Sequence, residues 1–189
     1  MDVVRTQQQK RIHPHKFTLW VAMASIIMMF AGLTSAYIVK RSTVNWEGVL
    51  TPVEFWYSTA VIIASSITVQ MAVRAFKQRE MRNYRILIAI TALLGILFVV
   101  LQWMGFSWMW EHGVRFKGAA GQGQFLYIIA GLHALHVIGG IVALLIMVFK
   151  AFFGRVKSYD VVPVEVASTY WHFVDVLWVY LLVFFIWLG

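Results

Sequence analysis

Five long apolar segments constrain the fold of this chain more than any other feature of its sequence. Each is long enough for the roughly 20 residues that cross a bilayer as a helix. Because the bilayer core offers no water to the backbone, each segment must satisfy its own amides and carbonyls as an α-helix. The sequence therefore predicts an all-α, multi-pass membrane protein. We expect one bundle of five transmembrane helices, over residues 17–39, 55–73, 86–110, 124–149 and 161–188.

The small share of charged residues agrees with a membrane location. Of the 189 residues, 61% are hydrophobic and 13% are charged, whereas soluble domains are about 25% charged. A soluble chain of this length could not bury so much apolar surface. The sequence has no cysteine, which excludes disulfides, iron–sulfur clusters, thiolate zinc sites and covalently attached haem.

The positive charges are concentrated on one side of the predicted bundle. Twelve of the 16 lysines and arginines fall in the amino-terminal tail, the loop between the second and third segments, and the loop between the fourth and fifth. The positive-inside rule then places the amino terminus in the cytoplasm and the carboxy terminus in the periplasm. Residues 1–16 are polar and lack the apolar stretch of a signal peptide. The net charge of +8 thus reflects topology and contact with anionic lipids, and we expect no nucleic-acid partner.

Two histidines lie in the fourth segment, in the stretch GLHALHVIGG. His133 and His136 are three residues apart, so they share one helix face about a turn from each other. Imidazole is the commonest metal ligand, but two histidines on one helix cannot ligate both faces of one haem. The neighbouring glycines allow close helix approach and hydrogen bonding between helices. We therefore favour a structural contact, and keep as an alternative a standalone b-haem electron carrier built on His133, His136 and His172.

The fifth segment carries three ionisable residues, Glu165, His172 and Asp175. At about 100° per residue, all three fall on one stripe of the helix. A charge at mid-bilayer costs roughly 2.5–3.5 kcal/mol on insertion scales, so each of these side chains needs a partner. We predict an internal polar clasp made by His133, His136, His172 and Asp175, with no catalytic or metal-ligating residue in this chain. Three other interpretations remain open: a proton relay along the stripe, a lipid-headgroup site near Glu165, and a small transporter.

Smaller polar side chains also interrupt the apolar segments. Gln102 lies in the third segment, and the pair Ser65 and Ser66 lies in the second. We expect them to make hydrogen bonds between helices.

The two histidine segments also carry a resemblance to a known family. The chain resembles subunit III of the haem–copper terminal oxidases, the cytochrome c oxidase subunit 3 family, in its five-helix bacterial short form. That family has a G-x-H-x-x-H-V helix, matched here by residues 131–137. Its final helix reads E-x-x-x-x-Y-W-H-F-V-D-x-x-W, matched here by residues 165–178. Weaker similarity extends over nearly the whole chain.

The resemblance implies an accessory subunit of a proton-pumping aerobic terminal oxidase that reduces oxygen to water. In such a complex the haems and copper lie in partner subunits I and II, and this chain would hold no cofactor of its own. Further candidate partners are a small fourth subunit and a respiratory supercomplex. The expected location is the bacterial inner membrane. The electron donor would be cytochrome c, with a quinol oxidase as the alternative.

Bound phospholipid is also implied by the resemblance. Lys150 falls where the family has a basic residue associated with lipid headgroups. Together with Glu165 and Trp171 it would form a lipid headgroup site at the cytoplasmic edge. The family further associates this subunit with the stability and sustained turnover of the complex.

The chain departs from the family pattern at two acidic positions and in its number of segments. Many members carry a membrane glutamate early in the first matched segment, where this chain has Ile26. They carry another acid shortly after the position of Gln102, where this chain has Gly105. Roles attached to the first acid are therefore not expected here. The long form has seven helices, and the two missing ones would come from an extended subunit I or another chain.

Overall fold

The protein folds into five long helices. The computed structural model describes residues 14–42, 52–112, 122–153 and 160–188, and within these ranges it contains no strand. The helices are α1 (Pro14–Arg41), α2 (Glu54–Lys77), α3 (Met81–Glu111), α4 (Gln122–Phe153) and α5 (Val162–Leu188). All five are long and apolar enough to cross a membrane. The predicted all-α class, with five helices apolar enough to span a membrane, is confirmed for the described residues.

Most helices extend beyond the apolar segments that predicted them. Helix α3 begins at Met81 instead of residue 86, and α2 continues to Lys77 instead of residue 73. The added turns carry lysines and arginines, whose long stems can lie along a helix end while the charge reaches water. A helix boundary predicted at the first charged residue therefore makes the predicted helix too short. Several polar positions lie outside the described residues, namely the tail at residues 1–13 and the loop residues Arg115, Lys117, Arg155 and Lys157.

Helix α5 is the centre of the bundle. It packs against α1, α2 and α4, while α2 pairs with α3 and α4 packs against both α1 and α3. Side chains of α5 also reach α3, where Trp171 lies against Gly95. The backbones of α1 and α2 both approach α5 without approaching each other. A cleft therefore separates α1 from α2, with α5 behind it.

Side-chain contacts define the two ends of the bundle. At one end, which we call the basic end, Lys16 of α1, Lys77 of α2 and Glu165 of α5 form ion pairs. At the opposite end Tyr37 of α1 packs against Phe184 of α5, with ring centroids 5.2 Å apart. Helices α1 and α5 thus run in the same direction, and α2 runs against them.

The outer faces of the helices are apolar, as expected of a surface in contact with lipid. Trp103 of α3 and Phe153 of α4 are 76% and 82% exposed. They are two of many large apolar side chains that are exposed along the helices. A soluble monomer rarely exposes so much apolar surface. The interior instead contains aromatic side chains from α5, which connect the helices to one another.

Candidate functional site

Trp171 connects four helices at the middle of the bundle. Its side chain is fully buried, and its indole N–H donates to the Ser65 hydroxyl of α2 at 3.0 Å. The ring lies against Gly95 of α3 and Gly140 of α4. A Cβ atom added to either glycine would come within 2.8 or 2.9 Å of the indole. Both positions therefore require glycine for the ring to fit.

Trp178 repeats this arrangement seven residues later, on the same face of α5. It is 1% exposed, and its N–H donates to the Thr59 hydroxyl of α2 at 3.0 Å. Its ring lies 5.5 Å, centroid to centroid, from each of three others: Phe55 of α2, Phe98 of α3 and His133 of α4. The two tryptophans thus join α5 to the same three neighbours at two levels.

His133 lies in an aromatic enclosure. It is 2% exposed and stacks on Trp178, with Phe30 and Phe98 at centroid distances of 6.4 and 6.5 Å. Among the described residues neither ring nitrogen has a hydrogen-bond partner. This donor set does not fit a haem held between two facing histidines, because the ring is enclosed by other aromatic side chains. No group of three histidine, aspartate or glutamate side chains in the described part of the chain could hold a metal ion.

His136 contributes to the contact between α4 and α5 through its backbone. Its ring Nδ1 hydrogen-bonds the Leu132 carbonyl oxygen of its own helix at 2.7 Å. Its own carbonyl oxygen accepts a hydrogen bond from the Tyr170 hydroxyl of α5 at 3.1 Å. The imidazole is thus engaged locally, and Tyr170 makes the connection between helices.

His172 binds α2 with both ring nitrogens. Nδ1 shares a short hydrogen bond with the Ser66 hydroxyl, and Nε2 lies 3.3 Å from the Gln70 amide oxygen. One turn further along α5, Asp175 is 5% exposed. Neither of its carboxyl oxygens has a hydrogen-bond partner among the described residues.

The four residues of the predicted clasp are therefore not joined to one another by hydrogen bonds. His172 hydrogen-bonds α2, His136 its own helix, and His133 lies among aromatic rings. Apart from the ion pairs of Glu165, the side-chain hydrogen bonds that α5 makes to its neighbours come instead from Tyr170, Trp171, His172, Trp178 and Tyr180. The prediction that Ser65 and Ser66 bond between helices is confirmed, as is that for Gln102, whose side-chain N–H donates to Ser58 at 2.8 Å.

Glu165 makes two ion pairs at the basic end. Its carboxylate oxygens lie 2.6 Å from Lys16 Nζ and 2.7 Å from Lys77 Nζ. The three side chains line a cavity of 350 Å³ in the cleft between α1 and α2, together with Gln70 and His172. Two ammonium groups face one carboxylate, so the cavity entrance carries an excess of one positive charge.

The predicted lipid headgroup residues are not assembled as the sequence suggested. Trp171 is 0% exposed and hydrogen-bonds α2, so its indole cannot contact a headgroup. Lys150 is exposed in the last turn of α4. In the described residues Glu165 forms its ion pairs with Lys16 and Lys77, and not with Lys150. The sequence does not single out Lys16, because this residue belongs to the polar tail although it lies beside the first apolar segment.

Comparison with known proteins matches this chain to one family. The sequence profile of cytochrome c oxidase subunit III matches residues 16–189. A probable cytochrome c oxidase subunit 3 from Nocardia farcinica is 33% identical over 162 residues, which cover 83% of this chain and 79% of the relative. Cytochrome c oxidase subunit 3 of Bacillus sp. is 28% identical over 167 residues, covering 86% and 80%. The protein of that name from Oryctolagus cuniculus is 33% identical over 132 residues, covering 70% and 49%.

Proposed function

The chain belongs to the cytochrome c oxidase subunit III family, and from this premise we propose that it is an accessory subunit of a proton-pumping aerobic terminal oxidase. In that complex, oxygen is reduced to water at haems and copper held by partner subunits I and II. The chain itself supplies no redox centre. Cytochrome c is the proposed electron donor, and the names of the similar proteins support this over a quinol.

The main support for this proposal is the set of hydrogen bonds that the motif residues of α5 make to other helices. Tyr170, Trp171 and Trp178 donate hydrogen bonds to α2 and α4, and His172 hydrogen-bonds α2. These groups are engaged in joining helices, which supports a stabilising role for this chain. Electron transfer would then take place in its neighbours.

We propose a membrane orientation with the basic end in the cytoplasm. The described ends of α2, α3 and α4 that carry arginines and lysines, among them Lys77, Arg82 and Lys150, would then follow the positive-inside rule. The location would be the inner membrane of a bacterium. A small fourth subunit and a respiratory supercomplex remain proposed partners.

Copurification tests the proposed complex. A tagged form of this chain, purified from native membranes in mild detergent, is expected to bring down chains that carry haem, and the complex should show the visible absorption of haem. The chain expressed alone should show no Soret absorption. A Soret band in the chain purified alone, or copurification without any haem-bearing partner, would contradict the proposal in favour of a haem carrier or a transporter.

We also propose that the cavity at Glu165 holds the headgroup of an anionic phospholipid. The excess positive charge of Lys16 and Lys77 over Glu165 supports an anionic group at the cavity entrance. Leu19, Trp20 and Val73 line the same cavity and would contact the acyl chains. The exposed amine of Lys150, at the same end of the bundle, adds to the positive field.

Removing the two lysines should therefore release lipid. The double variant Lys16→Gln, Lys77→Gln is expected to lose about one anionic phospholipid per complex, because it removes both charge-assisted contacts. The measurement is native mass spectrometry of the complex with phosphatidylglycerol. Arg82→Gln, an exposed residue at the same end of the bundle, serves as a matched control and should retain the lipid. Equal lipid retention in the double variant and the control would refute the headgroup site.

A further inference from the structure

A file of polar side chains runs from the cavity at the basic end to the buried carboxyl of Asp175. We propose that this carboxyl exchanges protons with the water of the cavity through His172 and Ser66. The bound species is the proton itself, and the path lies between α2 and α5. This inference goes beyond the accessory role and does not depend on lipid binding.

The entrance to this path is the cavity in the cleft between α1 and α2. Lys16, Lys77 and Glu165 surround its outer part, and Gln70 and His172 line it as well. The lipid headgroup proposed above would lie at the outer part, and the inner part beside Gln70 and His172 would hold water. The whole cavity has a volume of 350 Å³, and a water molecule takes about 30 Å³ in the liquid. His172 therefore lies between the two: it lines the cavity and also contacts the polar side chains of the bundle interior.

His172 has the geometry of a proton shuttle. Its Nε2 lies on the exposed side beside Gln70, while its Nδ1 is bonded to the partly buried Ser66 hydroxyl. The two ring nitrogens of an imidazole can accept a proton on one side and release one on the other. Ser66 precedes Gln70 by four residues, so the path moves one helical turn along α2 from the cavity.

Asp175 lies at the inner end of the path. Its carboxyl is a neighbour of the Ser66 hydroxyl, but that hydroxyl is directed to His172 and makes no regular hydrogen bond to the carboxyl oxygens. Asp175 is 5% exposed. A carboxylate buried without donors or a counter-ion is costly, and especially so at membrane depth.

The other charged and titratable groups near α5 are already engaged. Lys16 of α1 and Lys77 of α2 pair with Glu165. On α4, His136 bonds its own backbone and His133 is enclosed by aromatic rings. These groups are therefore not available to neutralise the Asp175 carboxylate. Among the described residues, a proton that arrives through Ser66 would neutralise it.

The transfer requires three linked movements of a proton and no oxidant or reductant. His172 carries its ring proton on Nε2, which faces the Gln70 amide oxygen, and its Nδ1 accepts from the Ser66 hydroxyl. The neutral Asp175 carboxyl gives its proton to the Ser66 oxygen, Ser66 passes its own hydroxyl proton to Nδ1, and Nε2 releases its proton to cavity water. The serine is regenerated, the carboxyl becomes a carboxylate, and one proton has entered the cavity. In the reverse sequence cavity water protonates Nε2, Nδ1 returns a proton through Ser66, and the acid is restored.

Hydrogen–deuterium exchange of the Asp175 carboxyl tests this path. Infrared difference spectra of the intact oxidase complex, recorded after transfer from water to deuterium oxide, follow the carbonyl stretch of a protonated carboxyl as it shifts. The band that disappears in Asp175→Asn is that of Asp175. We expect Ser66→Ala to slow its exchange by about a hundredfold, the lower limit of what a positioned proton-transfer group contributes to a rate.

Two further variants separate proton transfer from packing. Ser66→Thr keeps a hydroxyl and should exchange at the wild-type rate. Ser25→Ala removes a hydroxyl that bonds only its own helix on α1 and should also leave the rate unchanged. The proposal is overturned if no protonated-carboxyl band depends on Asp175, or if Ser66→Ala exchanges as fast as the wild type.

Discussion

Replacing Trp171 with alanine is expected to destabilise the bundle by about 3–5 kcal/mol, the range for large aromatic residues removed from a packed core. The change would leave a cavity between Gly95 and Gly140 and would remove the hydrogen bond to Ser65. Because this side chain joins α5 to three helices, the loss should weaken the whole bundle. The measurements are the free energy of unfolding in detergent and the fraction of oxidase complexes that retain this chain after purification.

Trp103→Ala is the matched control for this variant. Trp103 is 76% exposed on the outer face of α3, so its removal creates no internal cavity. We expect a change in unfolding free energy well under that of Trp171→Ala. Similar losses in the two variants would show that the buried tryptophan does not hold the helices together as described.

Gly140→Val should produce the second largest effect. A Cβ atom at this position would lie 2.9 Å from the Trp171 ring, so the branched side chain must push the indole or α4 aside. Overpacking of this kind costs about 1–3 kcal/mol, and here it would also strain the indole hydrogen bond. We expect a lower thermal unfolding midpoint and less of the chain bound to its partner subunits.

Gly131→Val provides a control on the same helix. A Cβ atom at Gly131 meets nothing within 4 Å inside the chain, so the same substitution should be tolerated by the fold of the chain itself. If Gly140→Val were as stable as Gly131→Val, the close approach of α4 to Trp171 would be refuted.

The architecture could be predicted because apolar length is a strong signal in a membrane. Five long apolar segments imply five helices whatever their neighbours, since the backbone has no other partner in lipid. The ends of the helices were less predictable. Arg82 and Arg85 lie within α3, because a charged side chain near the surface can extend to water without ending the helix.

The partners of the motif residues could not be predicted from one helix at a time. Spacing on α5 puts His172 and Asp175 on one stripe, but spacing does not say which helix faces that stripe. The stripe faces α2, where Ser66 and Gln70 contact His172. The prediction that His133 and His136 would contact His172 and Asp175 rested on an assumption. It assumed that α4, the preceding helix along the chain, faces the stripe.

Two signals in the sequence could have improved the site prediction. Gly95 is an isolated glycine in the apolar stretch LLGIL, and such a residue in a helix often marks a close approach. Lys16 lies directly before the first apolar segment, where its charge could meet an acid at the start of another helix. Considered together with the tryptophans of α5, Gly95 would have indicated that Trp171 is buried between helices and cannot lie beside a lipid headgroup.

The central claim, that this chain stabilises an oxidase without carrying its redox centres, is tested most directly by removing the chain. Haem and copper per complex, the initial rate of oxygen consumption, and the decay of that rate during turnover would be measured in complexes with and without it. We predict unchanged haem and copper, a similar initial rate, and a shorter working lifetime that the added chain restores. Loss of haem or copper in proportion to the removed chain would contradict the account.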